Sequence, residues 1–86
     1  MLGDNMGTSH LRNLYFECSN GDILQLADSI EEKDVSLVIR DFLKKHNYKS
    51  YYTRSWEKNG VKKYDVGSHT QFFLWASEED LMRYIE

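Results

Sequence analysis

The sequence predicts a small α+β domain in the order β-β-α-β-β-β-α. The expected architecture is a four- or five-stranded antiparallel sheet of hairpins, with one long helix packed across it and a short C-terminal helix. Three observations predict it. Two segments of period two each close on an x-Asn-Gly turn, Ser19-Asn20-Gly21 and Lys58-Asn59-Gly60. From Lys33 the apolar period becomes helical, and Ser77 with Asp80 three residues on opens a last striped segment. A chain of 86 residues holds one core, so residues 11–86 read as a single domain behind a flexible leader, residues 1–10. Met6, inside that leader, is a candidate natural start.

The first strand is Leu11 to Cys18, where Leu14, Phe16 and Cys18 alternate with Asn13, Tyr15 and Glu17. Ser19 to Gly21 turns the chain into Ile23 to Ala27. A three-residue loop with a glycine bulge sets Phe16 opposite Leu24 and Leu14 opposite Leu26, giving one apolar face; a two-residue loop mixes the faces. The long helix carries Val35, Val38, Ile39, Phe42, Leu43 and His46 on one stripe. Its start is open between a capping box, Ser29 with Glu32, and a cap at Asp34. Asn47 is expected to end it. Tyr48 to Glu57 and Val61 to Gly67 form the second hairpin, and the same register test prefers a three-residue loop, with Trp56 facing Lys62, Arg54 facing Tyr64 and Tyr52 facing Val66. That register gathers Tyr52, Trp56, Tyr64 and Val66 on one face. After a turn at Gly67-Ser68-His69, the strand Thr70 to Ala76 is apolar on both parities, which predicts a central strand or one covered on both sides. Ser77 then caps Glu78 to Glu86, with Leu81, Met82 and Ile85 facing inward.

Composition narrows the function classes. Hydrophobic residues at 41%, charged residues at 29% and aromatics at 14% are globular values and exclude a disordered chain. The longest apolar run, Phe72 to Ala76, falls far short of the ~20 residues of a membrane helix, and residues 1–10 lack a signal-peptide pattern, so a cytoplasmic protein with no membrane partner is expected. The single cysteine, Cys18, makes no internal disulfide and reads as a small inward hydrophobe. His10, His46 and His69 are too scattered for a metal site, and no glycine-rich phosphate loop is present, so neither metal nor cofactor is expected. Asp65, Ser68 and His69 have the residue types of a nucleophilic triad, but side chains so close along an extended segment diverge, and they read as turn formers. No catalytic residue is expected.

Charge is where the sequence is informative. Residues 1–47 hold five bases and eight acids, residues 48–67 five bases and two acids, and residues 68–86 one base and four acids: −3, +3 and −3. Two function classes follow. The leading one is a non-enzymatic protein-binding module that covers a surface of a larger protein or nucleoprotein complex. Such a chain shares its scale with the small inhibitors and accessory proteins encoded by phages and other mobile elements. Its anchors would be Tyr51, Arg54, Lys58, Lys62 and Lys63 on the basic hairpin, or the acidic helix starts Glu31, Glu32, Glu78, Glu79 and Asp80. The alternative is single-stranded nucleic-acid binding through hairpin 48–67, whose lysines would track phosphates while its rings stack on bases. The acids also suit the helix dipole. An edge strand leaves monomer and homodimer both open.

Overall fold

Phe72, Phe73, Leu74 and Trp75 are apolar on both parities of an extended chain, and burying both sides of such a strand requires cover above and below it. The computed structural model, which describes residues 11–47, 54–66 and 72–86, provides that cover. Its elements are β1 (Arg12–Glu17), β2 (Ile23–Ile30), α1 (Glu32–Lys45), β3 (Arg54–Lys58), β4 (Val61–Asp65), β5 (Phe72–Ala76) and α2 (Glu78–Ile85). The five strands form one antiparallel sheet in the order β2-β1-β5-β4-β3, so β5 is its centre. The expected fold class, element order and central strand all hold.

Alternation along β1 and β5 divides the apolar side chains between two cores. Leu14, Phe16, Phe73 and Trp75 point to one face, where Val35, Ile39 and Leu43 of α1 close over them with Tyr64 and Val66. The rings of Phe16, Phe42 and Phe73 meet there at centroid distances of 4.7, 5.2 and 5.7 Å, an aromatic cluster at the middle of the layer. Tyr15, Leu74 and Ala76 point the other way and pack with Val61 under Leu81 of α2. The sheet is therefore the middle layer of three.

The first hairpin has the expected three-residue loop. Cys18 and Asp22 close it by a 2.8 Å backbone hydrogen bond, Gly21 takes φ +96°, and Phe16 stands opposite Leu24. Leu14, however, faces Ala27 and not Leu26, and Arg12 faces Ile30, so β2 carries two register shifts. These shifts bring Leu26, Ala27 and Ile30 all against the α1-side core, which a regular strand of period two would not allow. Ser29, at φ 54°, absorbs the second shift, and its N–H donates to the Asn13 side-chain oxygen at 2.9 Å.

That serine corrects the expected helix start. Ser29 lies within β2 and cannot cap, and Asp34 lies inside α1; the N-cap is Glu31, which makes no side-chain capping bond. Asn47 follows the helix in the left-handed region at φ 59°, as its role of terminator requires. At α2 the expected cap holds, with Ser77 Oγ accepting from the Asp80 N–H at 3.1 Å. Its inward face differs: Leu81 is buried and Tyr84 half-buried, whereas Met82 and Ile85 are exposed. In so short a helix, Leu81 and Tyr84 at i and i+3 are enough to cover the small core beneath.

Candidate functional site

The second hairpin sets the site. Lys58 pairs with Val61 across a two-residue turn, Asn59 at φ 55° and Gly60 at φ 82°, the pattern of a type I′ turn that favours Asn-Gly because both positions need positive φ. The expected three-residue loop is thus one residue too long. A one-residue slip moves each side chain of β3 to the other face. Trp56 faces Lys63 instead of Lys62, Arg54 faces Asp65 instead of Tyr64, and the tryptophan stands on the face of α2, away from Tyr64. It remains 43% exposed. Tyr52, whose pairing with Val66 belonged to the same expectation, lies outside the described residues.

Between this hairpin and α2 opens a groove of about 810 Å³, lined by Trp56, Lys58, Val61, Lys63, Arg83 and Tyr84. Asn59, Gly60 and Asp80 complete it where the turn meets the helix. A Cβ on Gly60 would press on the Asp80 carboxylate, so the bare glycine leaves that side chain its place against the turn. Arg83 in turn donates to the Asp80 carboxylate.

Lys63 forms the back of the groove. Its ammonium donates to the Tyr84 hydroxyl at 2.9 Å, Tyr84 donates to Glu17 Oε1 at 2.9 Å, and Lys63 itself stands 3.7 Å from that carboxylate and 4.3 Å over the Phe72 ring. Burial acts to lower the Lys63 pKa, but its bonds to Tyr84 and Glu17 outweigh that and hold it above the ordinary 10.5. The Tyr84 phenol is raised mainly by burial. Lys63 therefore stays cationic across the physiological range.

The other expected anchors are distributed by the same register. Lys58 is exposed on the groove rim. Arg54 bonds the buried Asp65 at 2.9 Å and lies 5.8 Å from the Trp56 ring, so it braces the strand and the indole together. Lys62, next to Lys63 in sequence, projects to the opposite face and pairs with Glu32 at the start of α1. The two lysines do not form one patch. Glu31 pairs with Lys33 at 3.4 Å, Glu78 and Glu79 are exposed on the first turn of α2, and Asp80 is drawn into the groove. Both acidic helix starts lie at the same end of the sheet as the Asn59-Gly60 turn, because β2, β3 and β5 all run out there. Tyr51 lies outside the described residues, as do His10, Ser68 and His69. His46 is exposed, 4.3 Å from the Phe42 ring.

Sequence reasoning missed Trp56, Arg83 and Tyr84 as members of a site. The Asn-Gly pair favours a two-residue turn, yet Asn20-Gly21 sits in a three-residue loop and Asn59-Gly60 in a two-residue one, so the pair alone leaves open which face Trp56 takes. Among the described residues, no group of three or more His, Cys, Asp or Glu stands where it would hold a metal ion, and no helix is long and apolar enough to cross a membrane. The sequence matches no protein family, no curated protein and no solved structure.

Proposed function

We propose that this chain is a non-enzymatic protein-binding module of the cytoplasm that covers a surface of a larger protein with its α2 face. The observation that carries this reading is Trp56, a large ring left 43% exposed on an edge strand, beside a groove rimmed by Lys58 and Arg83. Tryptophan and arginine dominate the energetics of protein interfaces, and a ring pre-positioned on a sheet loses little side-chain entropy on binding. Nucleic-acid binding is less well supported. Among the described residues of the basic hairpin, Lys62 is turned to the opposite face and paired to Glu32, so Lys58, Lys62 and Lys63 do not line up as one cationic track for a phosphate backbone.

The test is capture from a lysate of the source cells with tagged protein, with and without nuclease, using the native chain, Trp56→Ala and, as a control on α1, Leu37→Ala. The expected result is one near-stoichiometric protein that survives nuclease, persists with Leu37→Ala and is lost with Trp56→Ala. Recovery that depends on nucleic acid, or a partner indifferent to Trp56, would overturn the proposal.

A further inference from the structure

Resting on the protein-binding reading, we infer that the Trp56 groove takes an acidic peptide segment of the partner, with a carboxylate seated among Lys58, Lys63 and Arg83 and an apolar neighbour against the Trp56 and Tyr84 rings. Charge carries this step. Three cations line the groove against one lining carboxylate, Asp80, which is already bonded to Arg83 and packed on Gly60, and with Glu17 beside Lys63 counted as well the cations remain in excess. The groove is thus locally positive in a chain whose formal net charge is −3. Beside it, Glu78 and Glu79 are exposed on the first turn of α2 and would repel an acidic segment that docked there.

The lining suits such a segment in two further ways. Lys63 has three N–H donors; Tyr84 takes one, Glu17 lies toward a second, and the third meets nothing stronger than the Phe72 ring 4.3 Å away, a contact that a carboxylate would better. Its partial desolvation strengthens that attraction over what an exposed lysine offers. Trp56, Val61 and Tyr84 supply apolar wall beside the cations, and about 810 Å³ is within the range of sites that enclose a small ligand or a few side chains.

Heteronuclear NMR on the full chain tests this directly, because its two tryptophans report from different places. Trp56 lines the groove, while Trp75 is buried and donates its indole N–H to the Ile30 carbonyl at 3.1 Å, serving as a fold control. The probes are a capped Glu-Leu-Glu-Leu-Glu peptide, the same peptide with lysine for glutamate, and oligothymidylate. The acidic peptide should shift the Trp56 indole and the Lys58 and Arg83 amides saturably, with the Trp75 indole unmoved. Lys58→Glu with Arg83→Glu should weaken it by about tenfold or more. Should that pair disturb the Trp75 indole, Lys58→Ala with Arg83→Ala repeats the test without reversed charge. No shift, an equal response to the lysine peptide, or a response to oligothymidylate alone would overturn the inference. A captured partner that is lost with Trp56→Ala but indifferent to both charge pairs would overturn it too, leaving the protein-binding reading in place.

Discussion

Gly60 joins two constraints at one Cα. Its φ of +82° is costly for any L side chain, and a Cβ there would press on the Asp80 carboxylate, the same group that accepts from Arg83. Gly21 has the first constraint without the second: φ is +96° but nothing lies within 4 Å of a built Cβ. Alanine at Gly21 should therefore cost only the left-handed backbone penalty, about 1–2 kcal/mol, and alanine at Gly60 more than that. Urea denaturation of both variants checks the order. Adding Asp80→Ala should recover the steric part of the Gly60→Ala loss while leaving the backbone part, a coupling that a double-mutant cycle reads directly. A second residue-scale prediction concerns Asp65, 1% exposed and held by Arg54. Arg54→Ala withdraws a charged partner from a buried carboxylate and should cost about 1–3 kcal/mol, whereas loss of an exposed pair such as Lys45 with Asp41 should cost under about 1 kcal/mol.

At the scale of elements, α2 is held to the sheet by Leu81 and by the chain Lys63, Tyr84, Glu17. The pKa of the Lys63 ammonium lies above its ordinary 10.5 and that of the Tyr84 phenol above its ordinary 10.0, so the folded state holds both protons more tightly than the unfolded chain. Lys62 and Tyr64 shift the same way, Lys62 through its bond to Glu32 and Tyr64 through burial. The stability these groups contribute is complete below their ordinary values and is lost as pH rises through the folded ones. Unfolding free energy should thus be insensitive to them near neutrality and fall from about pH 10 upward. Tyr84→Phe removes two hydrogen bonds, should cost about 1–2 kcal/mol at neutral pH, and should flatten the alkaline decline; an unchanged slope in pH-dependent denaturation would show that the latch adds nothing. The elements themselves were largely legible. Periods of two and 3.6 placed β1, α1 and β4, and the double-parity run of Phe72–Ala76 marked the central strand. What was not legible depended on single-residue register. A choice between two and three turn residues reverses Trp56, and neither β2 shift has a local sign, since both are set by the need to bring Leu26, Ala27 and Ile30 to the α1 side. The expected capping box failed for the same reason, because Ser29 was needed inside the strand. The groove residues were hidden in turn: Arg83 and Tyr84 join it only because α2 crosses the face to which that register delivers Trp56.

For the whole molecule, the decisive arrangement is that one strand serves two cores. Phe73 and Trp75 enter the layer under α1, and Leu74 and Ala76 enter the layer under α2, all from five residues at the centre of the sheet. Neither core can open without loosening the strand that the other relies on. Unfolding should therefore be a single transition, seen alike by tryptophan fluorescence and by far-ultraviolet circular dichroism. Phe73 and Leu74 are 2% and 0% exposed, so truncation of either leaves a cavity; the expected costs are about 3–5 kcal/mol for Phe73→Ala and about 2–5 kcal/mol for Leu74→Ala. Domains of this size have total stabilities near the lower end of about 5–15 kcal/mol, so both variants should sit close to their folding threshold. They should arrive there by lowering the same transition. If Leu74→Ala instead produced an early step in which α2 and the groove were lost while the α1 layer stayed folded, the two faces would be separate cooperative units. The proposed binding surface could then be switched off without unfolding the domain.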